Sequence, residues 1–150
     1  MEQGTLRVAY VLNAPSIGGG NQSFLTLWHG LAAHGVTPLV ISPAEGAMAH
    51  LARTEGFACE VIAPQQMSWR QPIRSWRTYR RWLKTLTSFQ AQLIHANDIY
   101  ATRTVTLAAS RLGIPVICHV RYPPEEDTIA WAFAKLPKPR LFVFNSEALR

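Results

Sequence analysis

Short apolar runs alternate with stretches of helical spacing along most of the chain. Runs rich in β-branched and aromatic residues predict strands at residues 6–12, 37–42, 59–63, 92–96, 115–120 and 141–145. These runs are apolar throughout, which is typical of strands that are covered on both faces. Between them, apolar residues keep helical spacing over residues 24–32, 47–52 and 101–112. The alternation predicts an α/β, Rossmann-like fold with a mainly parallel sheet and helices on both of its faces.

Three glycines and one aspartate mark the ends of the predicted helices. Gly35, Gly56 and Gly113 each follow a helical stretch and precede a strand, a position that favours a left-handed residue. Asp98 follows the fourth strand and is placed to cap the next helix, with a role as general base as the alternative. Because we find no sequence repeat, low-complexity tract or linker, residues 1–150 are interpreted as a single domain.

Composition and charge narrow the classes of protein and partner. A hydrophobic content of 48% with 16% charged residues indicates a globular protein. The net charge of +6 favours anionic partners such as phosphates, nucleic acid or lipid head groups. No apolar run approaches the roughly 18 residues of a spanning helix, and the N-terminus shows no legible signal peptide. These features predict a cytoplasmic protein.

A glycine-rich loop follows the first predicted strand, in the stretch APSIGGGNQSF at residues 14–24. Ligands of parallel α/β sheets bind outside the carboxyl ends of the strands, and glycines before a helix N-terminus suit an anion or a polar sugar. The loop lacks the Gly-Lys-Ser/Thr of a P-loop and the spacing of a dinucleotide-binding motif. We therefore predict ligand binding at Gly18, Gly19, Gly20 and Asn21, with a flexible turn as the alternative.

Four polar residues lie near the ends of the fourth and fifth strands in pairs that share a face. Asn97 is predicted to contact ligand, whereas His95 is either a hydrogen-bonded core residue or a second contact. Arg121 could bind a phosphate or a sugar hydroxyl with support from His119, or could pair with the acidic residues 125–127. We find no metal-ligand spacing and no nucleophile elbow, so no metal or other cofactor is expected.

The segment SWRQPIRSWRTYRRWLKTL at residues 68–86 is unusually basic and aromatic. If Pro72 opens a helix, its cations form one stripe beside Ile73 and Trp76. The stripe comprises Arg74, Arg77, Arg81 and Lys84, and Arg70 precedes it just before the helix. An ordinary helix with a solvated basic face and a surface for anionic membranes are both compatible with this pattern. Nucleic acid is the least favoured partner.

Several stretches, taken in order, resemble the N-terminal half of retaining GT-B glycosyltransferases of family 4. In GGGNQSFLTLWHGLAAHGVTPLVIS, Gly18 and Gly19 match the paired glycines of that family. The segment from Gly20 to Ser23 resembles the branch that carries Ala-Asn-x-Ser. The stretches AQLIHANDIYAT, LGIPVICHVRYP and LFVFNSEALR are similar to later strand ends. Asn97 replaces a histidine there, and Arg121 stands where many members have histidine.

The resemblance implies the acceptor-side half of an enzyme that transfers a sugar from a nucleotide-sugar. Its acceptor would be a glycan, a lipid-linked sugar or a small molecule. Gly18 to Asn21 would line the cleft between two domains, with Asn97 and Arg121 orienting the acceptor or the transferring sugar. His95 is a second choice there, and His119 and Arg121 are the candidates for catalysis.

The same resemblance implies that a C-terminal nucleotide-sugar domain is missing, because the sequence stops at Arg150, just inside a predicted helix. We therefore expect the chain alone to be inactive. If the protein associates with the inner face of the membrane, we expect it to do so peripherally. Two alternatives stay open: a non-catalytic interaction module that binds anionic surfaces, and a different Rossmann-type enzyme that binds a nucleotide at the loop.

Overall fold

The computed structural model describes residues 5–66, 68–124 and 127–147. Within these ranges the strands form one parallel sheet in the order β3-β2-β1-β4-β5-β6. The strands are β1 (Leu6–Val11), β2 (Val36–Ser42), β3 (Ala58–Val61), β4 (Leu93–Ala96), β5 (Val116–Val120) and β6 (Leu141–Phe144). The helices are α1 (Gly19–Ala32), α2 (Ala47–Thr54), α3 (Pro72–Phe89), α4 (Ile99–Leu112) and α5 (Thr128–Ala132).

The sheet separates two apolar layers, and alternate residues of β1 enter opposite layers. Val8 and Tyr10 pack with α1 and α2, where Trp28 is among the largest buried side chains. Ala9 and Val11 pack on the other face with α3 and α4. Burial on both faces explains why the strand sequences are continuously apolar. The predicted α/β fold and its parallel sheet are confirmed.

The predicted helix ends are also present. Gly35, Gly56 and Gly113 have φ of +74°, +82° and +68°, the left-handed region that favours glycine. Asp98 caps α4, since its Oδ1 accepts a hydrogen bond of 2.6 Å from the backbone N–H of Ala101. The short helix α5, which the sequence pattern did not predict, follows β5.

Helix α3 begins at Pro72 as predicted, and the side that it buries does not include the apolar residues Ile73 and Trp76. Its buried residues are Ser75, Trp82 and Leu86, whereas Ile73 is 68% exposed and Trp76 is 55% exposed. Ile73 and Trp76, which the sequence places beside the basic stripe, therefore lie on the exposed side of α3 and not on its buried side with Leu86. The predicted cations Arg70, Arg74, Arg77, Arg81 and Lys84 are all exposed. Arg81 approaches Glu60 at 3.8 Å.

Among the helices of the described ranges, none combines the length and the hydropathy that crossing a membrane requires.

Candidate functional site

The candidate site lies where the carboxyl ends of β1, β4 and β5 meet. Strands β1 and β4 are neighbours in the sheet, although β2 and β3 separate them in the sequence. The chain therefore turns to opposite sides after these two strands, and this switch point is where open α/β sheets bind ligands. Asn13 follows β1, Asn97 follows β4 and Arg121 follows β5.

Asn97 is the centre of a polar network at this edge and is fully buried. Its Nδ2 donates to Oδ1 of Asn21 at 2.7 Å and, more weakly, to Oδ1 of Asn13 at 3.4 Å. Its Oδ1 accepts a hydrogen bond from Nε of Arg121. The side-chain amide of Asn97 thus connects α1, the loop after β1 and the end of β5.

Asn21 holds the glycine loop against the first turn of α1. Its side chain is 3% exposed, and its Nδ2 donates to the carbonyl oxygens of Ala14 at 3.0 Å and Ser16 at 2.8 Å. These two bonds satisfy backbone groups that a mobile turn would leave to solvent. The side chain of Asn21 therefore tethers the glycine loop to the first turn of α1.

The three glycines of the loop differ in the space that a larger side chain would find. An added Cβ at Gly20 would lie 2.9 Å from Cδ of Arg121, 3.1 Å from its Nε and 3.4 Å from Nδ2 of Asn97. At Gly18 and Gly19 a Cβ would meet nothing within 4 Å, and none of the three glycines has a positive φ. Gly20 therefore makes room for Arg121, whereas Gly18 and Gly19 leave an open surface before α1.

Arg121 lies across the start of α1. Its Nη1 donates to Oγ of Ser23 at 3.2 Å, and its guanidinium carbon is 5.3 Å from the ring centroid of Phe24. Its buried Nη2 has no hydrogen-bond partner among the described residues. Asp127 makes no ion pair with Arg121 in the described ranges, and Glu125 and Glu126 lie outside them. Within the described residues, the guanidinium therefore has one donor that no protein acceptor satisfies.

His95 and His119 form a stacked pair beneath Arg121. Their ring centroids are 5.6 Å apart with 13° between the planes, and both rings contact Phe24. Nε2 of His119 is 2.7 Å from Oδ1 of Asn145, whereas the buried Nε2 of His95 has no partner in the described part of the chain. His95 therefore lies in an aromatic cluster, and its Nε2 has no protein acceptor or donor in the described part of the chain.

Both histidines are neutral at neutral pH. Burial, followed by the charges of His119 and Arg121, lowers the pKa of His95 to about 4. Burial and the nearby Arg121 also lower the pKa of His119, against an opposing hydrogen bond with Asn145. A neutral histidine pair adds no charge for binding a phosphate, so the positive charge of this site comes from Arg121.

A pocket of about 280 Å³ adjoins Arg121 between the ends of β4 and β5. Its lining includes Asp98, Tyr100, Tyr122 and Thr128 beside Arg121. Burial raises the pKa of Asp98, although hydrogen bonds from Ala101, Asn13 and Tyr100 act in the opposite direction. Aromatic walls with a few fixed polar groups are typical of sites for small organic ligands.

A known protein family matches the part of the chain that carries this arrangement. The model of the family described as "Glycosyl transferase 4-like domain" matches residues 18–150, which is most of the chain. The chain belongs to this family. The matched part of this glycosyl transferase 4-like domain begins at Gly18 and includes Asn21, Asn97 and Arg121.

Solved structures support the fold of the glycosyl transferase 4-like domain. MurG of Acinetobacter baumannii is similar over 93% of this chain and 41% of its own, with a TM-score of 0.71 and 16% identity. HepE of Anabaena, solved in complex with UDP-glucose, is similar over 96% of this chain and 38% of its own, with a TM-score of 0.71 and 18% identity. The domain therefore spans about two fifths of these chains. Among curated proteins, none matches the sequence.

The candidate residues Asn21, Asn97, His119 and Arg121 lie together at the predicted edge of the sheet, but the sequence analysis assigned no role to three of their partners. Asn13, Ser23 and Asn145 contact Asn97, Arg121 and His119, respectively. Asn13 and Asn145 come within two residues after a strand, so the rule that ligands bind at carboxyl ends selects their positions, although no role was predicted for them. The predicted basic residues of α3 are not part of this polar network.

We expect Gly20→Ala and Gly19→Ala to have opposite effects on stability. Alanine ordinarily stabilises a helix by about 0.5–1 kcal/mol relative to glycine, and Gly19 has the space for it. At Gly20 the new methyl would displace a side chain that Asn97 and Ser23 hold, so we expect a net loss of about 1 kcal/mol. Urea unfolding of both variants measures this, and equal stabilisation would contradict the close approach of Arg121.

Proposed function

We propose that this domain is the acceptor-side half of a retaining GT-B glycosyltransferase. The whole enzyme would transfer a sugar from a nucleotide-sugar to a glycan, lipid-linked or small-molecule acceptor. The observation that carries the proposal is the buried network of Asn21, Asn97 and Arg121 at the switch point of the sheet. Membership of the glycosyl transferase 4-like family supports the same assignment.

The network suits recognition of sugar hydroxyls and of a phosphate. Arg121 is oriented by Asn97 and Ser23, and its buried Nη2 has no hydrogen-bond partner among the described residues. Gly18 and Gly19 present an open backbone before α1, where N–H groups favour negative charge. In this proposal Arg121 binds the acceptor or the transferring sugar, and the pair His95–His119 supports it through Phe24.

The donor would bind outside this chain. HepE was solved with UDP-glucose, and the domain spans about two fifths of the HepE chain. We propose that a second domain binds the nucleotide-sugar as co-substrate, that no resident metal or other cofactor takes part, and that this chain alone does not turn over.

The retaining outcome and the role of Asp98 are also part of the proposal. The carboxylate of Asp98 borders the pocket but accepts the N–H of Ala101 as the cap of α4. Asp98 therefore acts as the cap of α4 and not as a general base. We propose that the donor phosphate takes the proton of the acceptor hydroxyl instead.

A non-catalytic interaction module is a second candidate. The exposed aromatic and basic residues at the start of α3 favour it, because an enzyme core has no need of them. Such a module would keep the fold and its α3 surface and would show no response to sugars at Asn97 or Arg121.

Titration followed by NMR tests the proposal on this chain. We expect acceptor sugars at millimolar concentration to shift the side-chain amide signals of Asn21 and Asn97, and UDP-glucose to leave them unchanged. Arg121→Lys should weaken the response to sugars, whereas Arg111→Lys at the far end of α4 should not. Micromolar binding of UDP-glucose that Arg121→Lys abolishes would show that this domain binds the donor. Absence of any response to sugars would favour the interaction module.

A further inference from the structure

The start of α3 exposes three large apolar side chains together. Trp69 is 98% exposed, Ile73 is 68% exposed and Trp76 is 55% exposed. Ile73 and Trp76 are three residues apart, so they are neighbours on the helix surface, and Trp69 lies in the turn before the helix. We call Trp69, Ile73 and Trp76 the α3 apolar tip. Contiguous exposed apolar groups of this kind mark a surface that binds a partner or a membrane.

The α3 apolar tip is held in a fixed position by Ser75. The Oγ of this buried residue accepts the N–H of Ser68 at 3.0 Å and is 3.4 Å from the carbonyl oxygen of Gln66. The side chain of Gln66 in turn accepts a hydrogen bond of 2.8 Å from Nε of Arg103 on α4. Trp69 is therefore presented by a tethered turn, not by a free loop.

The tip faces the same end of the molecule as the candidate site. Helix α3 follows the carboxyl end of β3, and Gln66 binds the N-terminal half of α4, the helix that Asp98 caps directly after Asn97. Carboxyl ends of parallel strands share one edge of a sheet. A surface that binds the tip would consequently lie at the edge that carries the polar network.

Positive charge surrounds the α3 apolar tip. Residues 61–97 contain six Lys and Arg residues and no Asp or Glu. Arg70, Arg74 and Arg77 are exposed and lie within about one helical turn of Ile73 and Trp76. Aromatic residues at an interface with arginines next to them are the pattern of helices that lie on anionic lipid bilayers.

We propose that the α3 apolar tip inserts into the head-group region of an anionic lipid bilayer, with Arg70, Arg74 and Arg77 contacting the lipid phosphates. Trp69, Ile73 and Trp76 enter the interface between head groups and acyl chains, where tryptophan is enriched in membrane proteins. The carboxyl edge of the sheet then faces the bilayer. The surface is independent of the sugar-binding role proposed for Asn97 and Arg121, so either proposal can fail while the other holds.

The arrangement favours lipid over nucleic acid. Bases stack on exposed aromatic faces, but the branched aliphatic Ile73 offers no stacking face and matches acyl chains. Trp69 and Trp76 also border a shallow pocket of about 360 Å³ together with Pro72. This lining binds apolar groups, and the arginines bind phosphates beside it.

Vesicle sedimentation of this chain tests the proposal. We expect binding to vesicles of phosphatidylglycerol and phosphatidylcholine, and little binding to phosphatidylcholine alone. Arg74→Gln with Arg77→Gln should weaken binding about 25-fold, since each cation near an anionic surface contributes about fivefold. Arg111→Gln with Arg140→Gln is the matched control, because these exposed arginines lie at the opposite edge of the sheet and should change binding less than about twofold.

A second pair of variants isolates insertion from simple charge attraction. We expect Trp69→Ala with Trp76→Ala to weaken binding at least tenfold at unchanged net charge. Lipids brominated near the head groups should quench the fluorescence of the parent chain and should quench Trp69→Phe with Trp76→Phe much less. All six positions are exposed, so far-ultraviolet circular dichroism should match the parent.

Three results would overturn the proposal. Equal losses of vesicle binding in the two double arginine variants would mean that the overall charge of the chain attracts it to the vesicles. Unchanged binding in the tryptophan variants, or no quenching by brominated lipid, would mean that the tip does not insert. Tryptophan-dependent binding of a single-stranded oligonucleotide without vesicle binding would identify nucleic acid as the partner instead.

Discussion

Asn97→Ala should lower the free energy of unfolding by about 2–4 kcal/mol, because it leaves several buried polar groups without partners. The Oδ1 of Asn21 would lose its 2.7 Å bond, and Nε of Arg121 would lose its acceptor. The Oδ1 of Asn21 is not free to reach water, since Asn21 is 3% exposed. Urea unfolding followed by tryptophan fluorescence measures the loss, and the sugar response proposed above should disappear in the same variant.

Two further variants test whether the loss of stability in Asn97→Ala comes from the hydrogen-bond network or from the removal of a side chain as such. Asn13→Ala removes the longer contact of 3.4 Å with Asn97 and a hydrogen bond to Asp98, both made by an exposed residue, so we expect a cost below about 1 kcal/mol. Asn97→Asp keeps an acceptor for Arg121 but places an oxygen against Oδ1 of Asn21. Its stability should lie between Asn97→Ala and the parent. A cost of Asn97→Ala equal to that of Asn13→Ala would contradict the network.

Stability should also fall as the pH is lowered from 6.5 toward 4. The folded state holds the pKa of His95 at about 4, below the ordinary value of 6.5, so the unfolded chain binds the proton first. Each unit of difference corresponds to about 1.4 kcal/mol, which gives a loss of about 3 kcal/mol by pH 4. The lowered pKa of His119 adds to the loss. The raised pKa of Asp98 has the opposite sign and offsets part of it at the acid end.

Replacing His95 by phenylalanine tests this assignment. The ring lies against Tyr10 and Phe24, so phenylalanine preserves the aromatic contacts and removes the titrating group. We expect the slope of unfolding free energy against pH to decrease between pH 6.5 and 4. His50→Gln, an exposed position on α2, is the matched control and should keep the parent slope. An unchanged slope in His95→Phe would assign the acid sensitivity to other groups.

The fold could be predicted because its signals are local. Gly113 and Asp98 mark the two ends of α4 by chemistry that acts within one turn. The runs of β1 and β4 are apolar at each position because both faces are covered. The orientation of α3 is a different case. Helical spacing defines a face but not which neighbour covers it, and only the packing of α3 beside α4 shows that Ile73 is exposed.

For the candidate site, the sequence could predict the edge of the sheet on which it lies but not the contacts between its residues. Spacing by two placed His119 and Arg121 on one face, and both contact Phe24 in the structure. The partnership between Asn21 and Asn97 joins positions 76 residues apart and depends on how α1 returns over the sheet. No local pattern encodes that distance. The neutral state of His95 likewise follows from burial, which the sequence does not report.

The close approach of Gly20 and Arg121 restricts which residues can occur together at these two positions among related proteins. A methyl group at position 20 would collide with Cδ of an arginine at position 121, which lies 2.9 Å away. A smaller residue at 121 would remove the collision and the guanidinium at once. These two positions should therefore change together among relatives, alanine at the first accompanying a shorter residue at the second. We therefore expect the pair to be inherited together although 100 residues separate its members.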